Sequence, residues 1–109
     1  MKQFDVFRNA GRNRSAIPYV VVVQSSWFDR SQRRVVVPLV SLDVLERTVR
    51  LPRSAINPEF TIEGHRVVLH PLEIVSVPVE TLHEHVASLA EDGDTIIAAL
   101  DELFSRAWA

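Results

Sequence analysis

The sequence predicts a mainly β fold with α: a strand-rich body over residues 1–93 followed by one C-terminal helix over residues 94–108, together a single domain spanning 1–109. Three observations predict it. Two runs dense in β-branched residues, Tyr19-Val20-Val21-Val22-Val23 and Val35-Val36-Val37, have the stiffness and apolarity of buried strands. Short apolar segments recur between Gly, Pro and polar punctuation, as strands joined by turns do. From Asp94 onward the apolar residues shift to a helical period.

The elements follow in order. Gln3 to Arg8 alternates as a first strand, and the polar stretch Asn9 to Ser15 is a loop. Ile17 to Ser25 is a strand buried on both faces, Arg33 to Pro38 its partner, and Ser26 to Gln32 the wide hairpin connection between them. Pro38 lacks a ladder donor and is expected to end or bend its strand. Ser41 to Arg47 is a short helix with Ser41 as N-cap. Thr48 to Pro58, with two prolines and no period, is a loop. Phe60-Thr61-Ile62 and Arg66-Val67-Val68-Leu69 flank Glu63-Gly64 as a tight hairpin. Glu73 to Val79 is a strand that Pro78 places at an edge or bulge. Glu80 to Ala90 fits either a helical stripe or an extended segment. In the last helix Asp94 is the cap, Ile96, Ile97, Leu100, Leu103, Phe104 and Ala107 form one apolar face, and Arg106 suits the negative dipole end. There is no internal repeat.

Composition narrows the class. The 109 residues are 47% hydrophobic and 24% charged, too apolar for a disordered tail, and a chain of this length buries a core without covalent staples. No apolar stretch reaches the ~20 residues of a membrane span, and charge interrupts Phe4-Asp5-Val6-Phe7-Arg8 before a secretory signal core forms. No membrane association is expected. The absence of cysteine excludes disulfide and thiolate chemistry and suits a cytoplasmic location.

Charge is divided along the chain. Residues 1 to 53 hold ten Lys/Arg against four Asp/Glu, and the remainder holds two against ten. Cross-strand charge matching accounts for this; otherwise the basic loops Arg12/Arg14 and Arg30/Arg33/Arg34 form a face suited to an acidic peptide or a nucleic acid. Trp27, beside Phe28 in the hairpin connection, is expected in a small apolar cluster beneath that loop, or otherwise in a partner groove. His83-Glu84-His85, His65 and His70 invite a metal, but neither Cys nor a tight carboxylate cluster completes a ligand set. No metal and no cofactor are expected. The closing segment Phe104-Ser105-Arg106-Ala107-Trp108-Ala109 puts a large aromatic where chain ends usually fray, which points to a partner contact.

Val23-Gln24-Ser25, Arg33-Arg34-Val35-Val36-Val37-Pro38-Leu39, Ser76-Val77-Pro78-Val79 and Ile96 to Phe104 together resemble, in order, spacing and chain length, the CcdB toxins of plasmid and chromosomal addiction modules. The resemblance implies an SH3-like β-barrel with a C-terminal α-helix, a homodimer, and the toxin of a type II toxin-antitoxin module that binds the DNA gyrase A subunit. It also implies trapping of the gyrase-DNA cleavage complex without catalytic residues, and neutralisation by a cognate CcdA-like antitoxin whose disordered arm wraps the toxin. Direct nucleic-acid binding is not expected.

In that family the contact with gyrase is an aromatic residue at the C-terminus followed by Gly and Ile. An ungapped match through Phe104 puts those three positions on Ser105, Arg106 and Ala107, while this chain continues to Trp108 and Ala109. Trp108 is thus displaced by almost one helical turn, about 4 to 5 Å along the axis at 1.5 Å per residue. The gyrase-binding residues expected by resemblance are Trp108, Ala109, Arg106, Ser105 and Ala107. Two other classes stay open. One is an endoribonuclease of the Kid/MazF type, which shares the fold and would use a histidine as base with Arg33 or Arg34 on phosphate, although the pI near 6.0 is low for an RNA binder. The other is a non-toxic SH3-like protein-binding module.

Overall fold

The computed structural model describes residues 1–48 and 55–105. Among them, β1 (Asp5–Arg8), β2 (Tyr19–Val22), β3 (Arg33–Ser41), α1 (Leu42–Thr48), β4 (Glu59–Ile62), β5 (His65–Leu69), β6 (Val75–Pro78), β7 (His85–Ser88) and α2 (Gly93–Ser105) follow in chain order. The strands form one antiparallel sheet in the order β4-β5-β3-β2-β1-β7, with β6 paired to β3. The sheet curls into a half-barrel. Its inner face and α2 share one core, in which Val6, Tyr19, Val21, Val37, Leu39, Val67, Leu69 and Ile96 are at most 1% exposed.

β1 starts at Asp5 because Phe4 is in the left-handed region (φ 71°). Its N–H donates to Val22 O (2.6 Å), and its carbonyl accepts from Leu89 N (2.9 Å). The Phe4 ring lies against the first residue of α2, where a Cβ on Gly93 would meet it at 2.6 Å. Gly93→Ala is therefore expected to destabilise the fold by about 1–3 kcal/mol through overpacking, measured as a shift in urea midpoint at unchanged slope.

Pro38 does not end its strand: β3 runs through it for nine residues. Val23 N–H donates to Val35 O (3.0 Å) and His70 N–H donates to Pro38 O (3.0 Å), so along β3 odd residues bond toward β2 and even residues toward the opposite flank. On that flank β6 pairs with Arg33 to Val36 and β5 with Leu39 to Ser41. The missing donor falls in the gap between them, where no ladder bond is lost.

The Glu63-Gly64 hairpin forms as expected, with Ile62 opposite His65. Both turn residues have positive φ, 52° and 80°, the pattern of a type I′ turn. Among the described residues β6 pairs with β3 alone and is an edge strand; it begins only at Val75, since Pro71–Glu73 makes a 3₁₀ turn. The ambiguous 80–90 segment resolves as extended, with β7 pairing with β1. Ser41 receives the Val44 N–H on its hydroxyl (3.5 Å) at the start of α1. Part of the loop expected over Thr48 to Pro58 lies outside the described residues. No helix among the described residues is long and apolar enough to cross a membrane.

α2 begins at Gly93, and Asp94 stands in its first turn rather than at the cap, where its charge still favours the positive helix end. The single apolar face expected for it divides in two. Ile96 and Ala99 are buried and Leu100 and Leu103 half-buried, but Ile97 is 38% and Phe104 62% exposed. Ala107 and the expected dipole partner Arg106 lie outside the described residues.

Candidate functional site

Of the five residues expected at the C-terminal contact, Ser105 is exposed on the last described turn of α2. Arg106, Ala107, Trp108 and Ala109 lie outside the described residues. Leading to that end are Ile97 and Phe104, seven positions apart and so on one side of the helix, both exposed. The 3₁₀ turn Pro71–Glu73 packs beside α2 and adds an exposed Leu72.

A second exposed apolar feature corrects the expectation for the β2–β3 connection. Trp27 is 86% and Phe28 58% exposed, so neither belongs to a cluster under the loop. They sit on a 3₁₀ turn, Ser26–Phe28, capped by Ser25, whose hydroxyl accepts from Trp27 N (3.2 Å). A three-residue turn sets consecutive side chains around a tight axis and leaves no room for both rings to reach the sheet. Sequence alone marks Trp27 as apolar and gives no register for so short an element.

The basic face that stands as the alternative to cross-strand charge matching is also divided. Arg34 is only 5% exposed, enclosed by backbone carbonyls of its own hairpin. Arg33 lies along β6, donating to Ser76 Oγ (2.9 Å) and Ser76 O (2.8 Å). Arg12 and Arg14 remain exposed in the loop after β1. That loop forms one wall of a groove of about 600 Å³ on the outer side of the sheet. Val20, Val36, Val77 and Leu82 make its floor, continuous with a second apolar cluster around Phe7 and Val22; Arg8, Asn13, Glu73 and His83 stand at its rim. An apolar floor with polar residues around it fits one side of an amphipathic segment.

Arg8 also holds the half-barrel together at one end. Its Nη2 donates to both oxygens of Glu63 (2.8 and 3.0 Å) and its Nε to Glu84 (2.8 Å), joining the β4–β5 turn to the residue before β7. The Tyr19 hydroxyl donates to Glu63 (2.7 Å), and the Arg8 guanidinium lies 5.7 Å from the Tyr19 ring centre. The Tyr19 hydrogen bond, aided by Arg8, holds the Glu63 carboxyl below its ordinary range; burial, then Glu63, pushes the Tyr19 hydroxyl up. The Arg8 guanidinium is raised by Glu84 and then Glu63.

These directions fix opposite limits. A lowered carboxyl stabilises the fold above its unfolded value and loses that effect as pH falls through the folded one. A raised phenol stabilises below its unfolded value, about 10, and loses that effect as pH rises through the folded one. Glu63→Gln is expected to flatten the acid limb of a plot of urea midpoint against pH; an unchanged limb would remove Glu63 from the account.

The histidines are dispersed. His85 faces Asp5 (3.3 Å) and meets Phe7 edge-on, His65 lies by Tyr19 and His70 by Glu73, while His83 is on the groove rim. No group of three or more His, Cys, Asp or Glu converges among the described residues.

Compared with known proteins, residues 3–105 of the 109 match the family model described as CcdB protein. The search of curated proteins found no match. The matched span runs through β1 to β7 and ends with the last described turn of α2.

Proposed function

The chain belongs to the CcdB family and is a toxin of a toxin-antitoxin module; from this premise we propose that it poisons DNA gyrase. In this reading the module is type II, and the toxin works as a homodimer in the cytoplasm. It binds the gyrase A subunit and traps the gyrase-DNA cleavage complex, and a CcdA-like antitoxin neutralises it. The observation that carries the reading is the family match through α2, a helix that leads toward Trp108 with Ile97 and Phe104 exposed along its outer side.

The mechanism needs no chemistry from the toxin. Gyrase opens and recloses a DNA break by moving its subunits, so a rigid body that binds one conformation shifts the population toward the cleaved complex. Differential affinity is sufficient, and no catalytic residue is assigned. A curled sheet with a helix fixed to its core is stiff enough for this. Exposed aromatic surface at Trp27, Phe28 and Phe104 supplies contact area of the kind that dominates protein docking. The terminal residues Ser105, Arg106, Ala107, Trp108 and Ala109 are proposed as the gyrase contact. An indole there would meet an arginine of gyrase in a cation-π contact worth roughly 0.5–2 kcal/mol per ring.

The groove walled by the loop after β1 is proposed as the seat of the antitoxin arm, since its apolar floor suits the apolar side of a disordered segment that orders on binding, and Arg12 and Arg14 are exposed on the same loop. The deciding experiment mixes the purified protein with gyrase and supercoiled plasmid. Accumulation of linear DNA after denaturation, with total RNA intact in a parallel incubation, is the expected result. Intact plasmid and degraded RNA would overturn it in favour of ribonuclease action.

A further inference from the structure

Arg34 is a buried cation with no anion beside it among the described residues. Its Nη1 donates to the carbonyls of Ser31 and Arg33 (2.9 Å to the latter) and its Nη2 to that of Asp29 (2.6 Å). Its Nε is buried without a hydrogen-bond partner, and no carboxylate pairs with it among the described residues. A charge compensated by carbonyl dipoles alone is a poor contribution to stability; an apolar side chain of similar length would fill the space at lower desolvation cost. What the guanidinium does supply is geometry. Its planar fork ties residues 29, 31 and 33 to one rigid group, a task that a single ammonium point charge performs badly.

The tied segment is the arc that carries the two exposed rings. Phe28 N–H returns to Ser25 O (3.0 Å), Asp29 N–H to Ser26 O (3.1 Å) and Ser31 N–H to Phe28 O (3.0 Å), so the backbone on either side of Trp27 is linked turn by turn to the residues that Arg34 holds. At the base, Gln24 Oε1 accepts from Val35 N–H (2.9 Å), where the β2–β3 ladder gives way to side-chain bonding. The arc therefore has a fixed shape although its aromatic residues, 86% and 58% exposed, take no support from the core.

We propose that Arg34 is a positioning residue that presents Trp27 and Phe28 in one pose to the protein on which the toxin docks. The inference rests on the reading that this protein is gyrase. Rings held in place before contact lose little freedom on binding, whereas rings on a loosened arc must be ordered at that moment, which lowers affinity several-fold for each.

The test uses the full chain labelled with 5-fluorotryptophan, its Trp27 fluorine resonance assigned through Trp27→Phe, and binding measured to purified gyrase A subunit. For Arg34→Met the expected result is a melting temperature close to that of the unsubstituted chain, a broadened or split Trp27 resonance, and about tenfold weaker binding. A narrow, unshifted resonance with unchanged affinity would overturn the proposal. Should Arg34→Met fail to fold, Arg34→Lys, which keeps the charge and loses the fork, decides by the same two readouts. If the unsubstituted chain itself does not bind gyrase, the gyrase reading fails, and the Trp27 line shape still decides whether Arg34 orders the arc.

Discussion

Trp108→Ala is expected to abolish the accumulation of linear plasmid by gyrase while leaving the melting temperature nearly unchanged. Truncating a tryptophan at the centre of a docking site typically costs about 2–4 kcal/mol, roughly 30- to 1000-fold in affinity. A symmetric dimer would lose that contact twice. The core among the described residues is built from the sheet and from Ile96 and Ala99, and on the proposed reading the substitution removes contact surface rather than support. Two measurements on one preparation decide the matter: DNA cleavage with purified gyrase, and thermal unfolding. Full cleavage by the variant would show that the displaced indole is not the contact. A steep fall in melting temperature would show that it packs on its own protein.

Ile96→Ala is expected to have the largest effect on stability, about 2–5 kcal/mol. Ile96 is fully buried and is the principal point where α2 enters the core formed by Val6, Leu39, Val67 and Leu69. For a domain of this size each kcal/mol moves the midpoint by several degrees, so thermal unfolding detects the change readily. The neighbouring Ile97→Ala is the control. Its side chain is 38% exposed, and its removal is expected to cost under about 1 kcal/mol. Equal losses for the two would contradict the packing of α2 described above. Any loss of gyrase binding in Ile97→Ala at unchanged stability would assign the outer side of the helix to docking.

The contrast between Ile96 and Ile97 marks the limit of what the sequence discloses. A 3.6-residue period locates an apolar stripe, but it does not say which part of a wide stripe meets the sheet and which part awaits another molecule. Tight local rules were legible. Glu63-Gly64 marked a two-residue hairpin because two apolar runs flank it at that spacing, and the valine runs marked β2 and β3 because β-branched residues suit a pleated, buried surface. Pro38 misled because the rule for proline concerns the flank that its absent donor faces, and that flank is set by β5 and β6, remote in sequence. Arg34 read as a cross-strand charge partner or as part of a basic face, since nothing in its neighbours announces that the chain will fold its own carbonyls around it. Trp27 read first as part of a small cluster beneath its loop because apolar character was visible and its short turn was not. The family, by contrast, was legible from dispersed segments, and the match over residues 3–105 bears it out.

Asp5 pairs with Ser88 and Val6 with Ala87, so the first strand of the chain finds its second neighbour only in the last. During synthesis β1 and β2 must therefore wait, with one margin open, until nearly the whole polypeptide has left the ribosome. Such long-range closure favours slow assembly and makes incomplete chains prone to stick to one another. A premature stop ahead of residue 85 would yield aggregate or protease substrate in place of a weakened toxin, and the cell meets this protein either whole or as debris.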